Sequence, residues 1–298
     1  MDMRCKICDG LLFKYIGKPR TNPVFPRILK NDYRIFQCQR CDYYFIFPEI
    51  DLSQEEWKKF YETDYFQVAK QTQWHKRIRQ KERIERLELL ENSLKIAKGK
   101  FLDMGCGEGL VLKNAELLGF EPYGLDIARN LENTDSDRYH FFLGNVFEAN
   151  YPDEYFSAIY MDSVLEHLSN PMETLKELKR ILKPGGALLI VVPNEDSMEN
   201  SFKKLCYRLI FQAGKYGKIK PFIAPYHIQG FNKKSLSHAL KSIGLNLLVL
   251  QDFGGNYPFW KNDRIGSKPF FTDIFLYGIG LLSIVWKNQI QILAIAKK

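Results

Sequence analysis

The sequence predicts an α/β fold: a mostly parallel β-sheet with helices on both faces, preceded by a small cysteine-bearing module. Three observations predict it. From Lys100 onward, short apolar runs alternate with helical patterns. The first of these runs ends in a glycine loop, FLDMGCGEGL, at Phe101 to Leu110. Ahead of both stand two CxxC pairs, Cys5 with Cys8 in CKIC and Cys38 with Cys41 in CQRC.

Each CxxC places two thiolates on one tight turn, and two such turns close a tetrahedral Zn²⁺ site. Four protein ligands leave no open position, so Zn²⁺ there is structural. LLFKYIG, YRIFQC and YYFIFP read as the strands of a zinc ribbon over residues 1–50. The rival reading is a redox CxxC, but such a motif usually occurs once and opens a helix, which neither pair does. Cys106 and Cys206 read as small packed residues. Residues 51–98 form a helical linker or cap. Ser53 with Glu56 resembles a capping box. QWHKRIRQKERIERLELLENSLK reads as a longer helix, with Ile84, Leu87 and Leu94 at helical spacing and a solvated Arg/Lys face.

Residues 99–298 carry the alternation. KFLDMG, EPYGLDI, YHFFLGN, YFSAIYMD and ALLIVVPN read as the first five strands. Between them, GLVLKNAELLGF is a helix ended by Gly119, and NPMETLKELKRILKPGG a helix closed by Pro184-Gly185-Gly186. KKSLSHALKSIG is a further helix, followed by strands LNLLVLQDF and QIQILAIAKK. Two stretches, near 195–230 and 254–288, fall outside the pattern. The second holds Tyr257, Phe259, Trp260, Phe270 and Phe271. Both suit a lid over an acceptor, and core packing explains their aromatics equally well.

The chain has 298 residues, 45% hydrophobic and 26% charged, enough to bury a core and unlike a disordered composition. Its net charge of +8 permits an anionic partner, although the basic residues are spread along the chain. The N-terminus lacks a signal-peptide apolar region. The longest apolar stretch, Phe275 to Trp286, is shorter than the ~20 residues of a spanning helix. A cytoplasmic protein is expected, with contact at a membrane surface left open.

The glycine loop lies where open α/β sheets bind ligands, at the end of the first strand. It has neither the Lys-Ser/Thr of a P-loop nor the G-x-G-x-x-G spacing of a dinucleotide site. Asp103 beside it disfavours an anion and favours a cationic ligand. The motif order LDMGCGEG, YGLDI, GNVFE, FSAIYMDSVLEHLSNP, LKRILKPGGALLIVVPN and PYHIQGFNKKSLSHALKSIGL resembles the class I S-adenosylmethionine-dependent methyltransferases across residues 99–298. The resemblance implies a Rossmann-like sheet with an antiparallel last strand. It implies that Gly105 and Gly107 admit the methionine part of S-adenosyl-L-methionine and that Asp103 belongs to the same site. Asp126 would bond both ribose hydroxyls, and Asn145 and Val146 would flank adenine. Relatives often have Asp where this chain has Asn145. Read without the resemblance, Asp103 and Asp126 also fit turn or capping acids.

Methyl transfer to a hydroxyl is an in-line displacement that needs a base, and a histidine serves near neutral pH. Of five histidines, His227 in PYHIQGF is the preferred base and His167 in LEHL the second candidate. Both also fit packed histidines. His75, His140 and His238 read as structural, and Glu166 as a residue that orients a base or holds substrate. In related quinol methyltransferases a divalent metal sits near such a motif, but the sequence offers no complete carboxylate set. Tyr61 and Tyr65 either close over the cofactor or belong to the core.

The expected function is O-methylation of a small-molecule, lipid-linked or sugar acceptor. The alternative is an RNA methyltransferase that grips RNA with the zinc ribbon. Against it, Met161-Asp162-Ser163-Val164 replaces the [DN]-P-P-[YF] that usually holds a base amine, and no RNP aromatic pair is present. A third reading is a non-catalytic cofactor-binding scaffold.

Overall fold

A computed structural model of the protein describes residues 3–21, 32–50, 52–53, 55–57, 73–94, 97–128, 139–209, 223–224, 227–254 and 268–298. In chain order, β1 (Phe13–Gly17), β2 (Arg20–Thr21), β3 (Arg34–Cys38) and β4 (Tyr44–Phe47) form the N-terminal module. A 21-residue helix α1 (Gln73–Ser93) leads to β5 (Lys100–Met104), α2 (Leu110–Leu117), β6 (Glu121–Asp126), β7 (His140–Leu143) and β8 (Phe156–Asp162). After a 3₁₀ turn at Leu165–His167 come α3 (Pro171–Ile181), β9 (Leu182–Pro193) and α4 (Met198–Leu209). Then follow β10 (Ile223–Ala224), β11 (Gln229–Gly230), α5 (Lys233–Ser242), β12 (Asn246–Phe253), α6 (Lys268–Val285) and β13 (Gln291–Lys297).

The main sheet has seven strands in the order β12-β13-β9-β8-β5-β6-β7. β5, β6, β7, β8 and β9 are parallel; β13 runs antiparallel to both its neighbours. The expected mostly parallel sheet with an antiparallel last strand is therefore present. Its strands read as continuous apolar runs because both faces are covered. On β9, Leu188, Ile190 and Val192 pack into one core while Leu189 and Val191 pack into the other. That split follows from the two-residue period of a strand. Chain order reverses direction across the sheet between β5 and β8, the switch point at whose C-terminal strand ends open α/β sheets form a binding crevice.

Two local expectations change. The helix expected to run to Pro184-Gly185-Gly186 stops at Ile181, and Leu182 is already extended (ψ 134°). Pro184 explains this: it removes a helical donor and biases Lys183 away from helical angles. The strand register slips between Phe156 and Ala158 to absorb the extra residues. The Arg/Lys face of α1 is also not wholly solvated. Arg86 is 3% exposed, with its guanidinium 4.0 Å from the centroid of Phe253 and 2.5 Å from Asp162 Oδ2. The charge is buried because it is paired. The Ser53–Glu56 capping box forms as expected, each side chain accepting the other's backbone N–H at 3.2 and 2.7 Å.

The N-terminal module is not a bead on a string. Its sheet runs β1-β3-β4-β11, so a strand from beyond residue 228 completes it. Gln229 pairs with Phe45 and Gly230 with Tyr44. Tyr43 packs on Phe231 with ring centroids 5.3 Å apart. Lys6 Nζ donates to Ser169 O at 2.8 Å, and Tyr44 OH donates to Asp196 Oδ1 at 2.7 Å.

Candidate functional site

The crevice has two sides. The first is built on β5, β6 and the loop between β5 and α2. Gly105 sits at φ +78°, and a Cβ there would lie 2.4 Å from Val164 Cγ2. Both the backbone angle and the contact exclude a side chain. The loop is hung from β6: Gly105 and Cys106 donate N–H to Leu125 O at 2.7 and 3.2 Å. Asp126, at the end of β6, closes it by accepting from Gly107 N at 2.9 Å and Ala128 N at 3.0 Å. Burial raises the Asp126 carboxyl above its usual range, and the N–H donors of Ala128, Gly107 and Ile127 work against that rise.

Asp103 is 2% exposed, and its Oδ2 has no hydrogen-bond partner among the described residues. Burial pushes its carboxyl up to about 8; the Arg83 guanidinium lowers it, while Asp162 and Asp126 add to the rise. A nearby positive charge would favour the ionised form of this buried acid. Asn145 Oδ1 accepts from the N–H groups of Phe147 and Glu148 at 2.9 and 3.0 Å, so its side-chain oxygen is committed to the turn. Val146, next in sequence, is buried in the core.

The second side is built after β8 and β9 and before β11. The 3₁₀ turn sets Glu166 and His167 against His227, with donor atoms of all three within 4.8 Å of one another. The two imidazole centroids are 4.7 Å apart, edge to face. Ile228 N donates to Glu166 O at 3.2 Å, which fixes the approach of the His227 segment. Glu166 is 1% exposed and neither carboxyl oxygen has a hydrogen-bond partner among the described residues. Burial pushes it up to about 8; its own backbone N–H lowers it and Asp162 raises it. Behind them, Glu195 is also buried. Burial holds its carboxyl far above the usual range, Lys204 pulls it down, and Asp196 and Glu166 push it up.

Sequence reasoning thus finds His167, His227 and Glu166, and the fold brings them together. It misses Glu195, two residues past the end of β9, and the buried Arg86–Asp162 pair at the end of β8. An acid directly after the PN that ends a central strand was the available signal for Glu195. The partner of Asp162 lies on a helix far upstream, with no local cue. His140 is exposed and stacks on Tyr123 at 4.4 Å, and His238 lies in α5. Tyr61, Tyr65, Tyr257, Phe259 and Trp260 lie outside the described residues, as do the side chains of His75, Cys206, Phe270 and Phe271. Cys106 is buried against Leu112 and Tyr139, as a packed residue.

In the N-terminal module Cys5, Cys8, Cys38 and Cys41 are buried with all four Sγ atoms within 4.8 Å of one another. Cys5–Cys41 and Cys8–Cys38 Sγ separations are 3.5 and 3.6 Å. These are far longer than the ~2.05 Å of a disulfide. They approach the ~3.8 Å sulfur–sulfur edge of a tetrahedron with ~2.3 Å Zn–S bonds. The two turns match: Asp9 N donates to Cys5 O and Asp42 N to Cys38 O, both at 2.9 Å. Asp9 and Asp42 share positive φ, at 56° and 62°. The donor set fits Zn²⁺.

The profile of a family described as "Methyltransferase domain" matches residues 74–250, more than half of the chain. An uncharacterised methyltransferase of Schizosaccharomyces pombe is 33% identical over 103 residues, covering 29% of this chain and 37% of the relative. A ubiquinone biosynthesis O-methyltransferase of Paraburkholderia phymatum is 24% identical over 182 residues, covering 57% and 78% of the two chains. The chain thus spans well under half the length of the first relative. Among solved structures, a SAM-dependent methyltransferase from Archaeoglobus fulgidus superposes with a TM-score of 0.53 at 19% identity, covering 79% of this chain and all of that one; this likeness concerns the fold. With the family match over most of the sheet and the glycine loop and two acids at its edge, the chain belongs to the S-adenosylmethionine-dependent class I methyltransferases.

Proposed function

We propose that the protein methylates a hydroxyl oxygen of a small-molecule, lipid-linked or sugar acceptor, with His227 as the general base and Zn²⁺ held structurally by Cys5, Cys8, Cys38 and Cys41. The observation that carries the reading is the convergence of His167, His227 and Glu166 within 4.8 Å, next to the loop where Gly105 abuts Val164.

S-adenosylmethionine supplies a methyl on a positively charged sulfur. Asp126 already accepts two backbone N–H bonds. A carboxylate has about four acceptor sites; the Ile127 N–H also reaches it, and the sites left serve the ribose hydroxyls. Asp103 offers negative charge toward the cationic end of the ligand, and Asn145 and Val146 line the adenine side. Gly105 and Gly107 let backbone approach where a side chain would block. On the other side, an imidazole nitrogen of His227 takes the acceptor's proton as its oxygen gains the methyl, and later returns it to water. His167 packs edge-on against that ring and orients it. Glu166 then faces a developing imidazolium, which favours its ionised form. Burial of Glu195 favours its protonated form, which can donate a hydrogen bond to an acceptor oxygen, a recognition suited to polyhydroxyl or phenolic molecules.

The test is purified zinc-replete protein with labelled donor and fractionated cell extract. Label recovered on a hydroxyl of a low-molecular-weight product supports the reading. Label on RNA, with an RNA mobility shift that weakens steeply with salt, would replace it.

A further inference from the structure

The C-terminal end of α6 is exposed and apolar. Leu281, Leu282, Ile284, Val285 and Trp286 are 46, 48, 45, 76 and 63% exposed, whereas Ile279 and Ser283 on the inner side are 7 and 3% exposed. At ~100° per residue the exposed side chains sweep an arc of about 200°. That is about twice the ~100° stripe a helix lays into a protein groove. It suits a surrounding apolar phase. The run ends in Trp286 and Lys287 with the helix closed behind them: Trp286 N donates to Leu282 O at 3.1 Å and Asn288 N to Ser283 O at 2.9 Å. An indole at the apolar–water boundary followed by an exposed lysine matches a bilayer interface, where tryptophan sits at headgroup level and lysine reaches lipid phosphate. The net charge of +8 favours an anionic leaflet. Among the described residues no helix is long and apolar enough to cross a membrane, so α6 would lie in one leaflet.

The patch is also in the right place. Asn194, at the end of β9, reaches Asn288 Oδ1 through its amide nitrogen at 3.1 Å. Met198 N donates to Asn288 O at 3.1 Å. Gln291 opens β13 opposite Pro193, so the end of α6 lies at the sheet edge that carries Glu195. On α4, which packs beside α6, Leu205 is half exposed too.

We infer that the apolar end of α6, Leu281 to Trp286, inserts into the interfacial layer of an anionic lipid bilayer and sets the acceptor side of the crevice against the membrane surface. The acceptor class is thereby a membrane-borne hydroxyl, which rests on the O-methylation reading above; the membrane contact itself does not.

The probe is vesicles of phosphatidylcholine with phosphatidylglycerol, compared with phosphatidylcholine alone, and neither donor nor acceptor is added. The full chain sediments with the anionic vesicles, and salt weakens the binding without abolishing it. L282S/V285S/W286S binds at least about tenfold more weakly, while its affinity for S-adenosylhomocysteine is unchanged and reports an intact fold. K287E, which leaves the apolar surface whole, weakens binding to anionic but not neutral vesicles. The fluorescence blue shift on adding vesicles disappears in W286F, which still sediments. Triple-variant binding equal to the parent, or no binding by the parent, overturns the inference. So does a concentration-dependent dimer of the parent that the triple variant abolishes, since the patch is then a protein interface. Vesicle binding without methylation of any hydroxyl sinks the O-methylation reading alone. Methylation of a soluble hydroxyl without vesicle binding sinks the membrane contact alone.

Discussion

The two sides of the crevice are made in different ways. The proposed donor side, from Asp103 through Asp126 to Val146, comes from one stretch of sequence in which strand, loop, helix and strand follow each other. Its key contacts are local or run between adjacent strands, such as Gly107 N to Asp126 Oδ2. The acceptor side is gathered from Glu166 and His167 after β8, Glu195 after β9, and His227 before β11, with a cysteine module from the far N-terminus braced behind it. On the proposed reading, the methyl donor is met by a self-contained cradle. On the same reading, the acceptor is met by parts from separate loops that can be exchanged without disturbing that cradle. The two sides are therefore separable by mutation.

The sharpest separation comes from His227→Ala. Loss of a general base lowers kcat by about 10²–10⁴, while calorimetric affinity for S-adenosylhomocysteine stays the same. A drop in both would mean that His227 supports the donor cradle instead. Asp126→Ala is the mirror experiment. Two charge-assisted hydrogen bonds at about 1.5 kcal/mol each correspond to roughly 10²-fold weaker donor binding. With donor at saturation, kcat in this variant recovers most of its parent value.

Chelation tests whether the cysteine module belongs to the acceptor side. β4 begins three residues after Cys41 and pairs with Gln229 and Gly230, two and three residues after His227. Loss of Zn²⁺ frees the Cys38–Cys41 turn and loosens β4, shifting His227 by a fraction of an ångström. Turnover falls about tenfold on these grounds, with donor affinity unchanged. Zinc content, turnover and S-adenosylhomocysteine binding are measured on one chelated sample. If donor affinity falls in step, the module supports the whole fold.

The same contrast decides what the sequence reveals. The donor side is legible because its ligand groups recur in a fixed order along one stretch, so FLDMGCGEGL and YGLDI already place Asp103, Gly105, Gly107 and Asp126. The strands of the sheet are legible because burial on both faces makes them continuous apolar runs. The four cysteines are legible from spacing, and the fold brings their sulfurs together. The acceptor side is legible only in part. His167 and His227 stand out as rare titratable residues, but their 4.7 Å approach depends on chain segments far apart in sequence. Arg86 reads as one more surface arginine on a basic helix; only the folded sheet brings Asp162 and Phe253 to it. Nor does local pattern show that β11 completes the N-terminal sheet, since a two-residue strand has no periodicity.

The smallest expected effect is the pH dependence of donor binding through Asp103. In the free protein burial lifts this carboxyl to about 8. A bound sulfonium or ammonium favours the ionised form and draws that value down, so binding expels a proton wherever the free protein holds one. The sign follows: donor affinity is complete above the free-protein value and is lost as pH falls through it. Between pH 8 and pH 7 the ionised fraction of a group titrating near 8 drops about fivefold, and the affinity drops with it. Calorimetry in two buffers of different ionisation enthalpy reads the released proton directly. Asp103→Asn binds the donor more weakly at pH 8 but releases no proton and shows a flat profile, whereas His227→Ala keeps the parent's slope. A parent profile flat between pH 6 and pH 8 would mean that Asp103 keeps one protonation state through binding. Its unpartnered Oδ2 would then owe its place to the protein around it and not to the ligand.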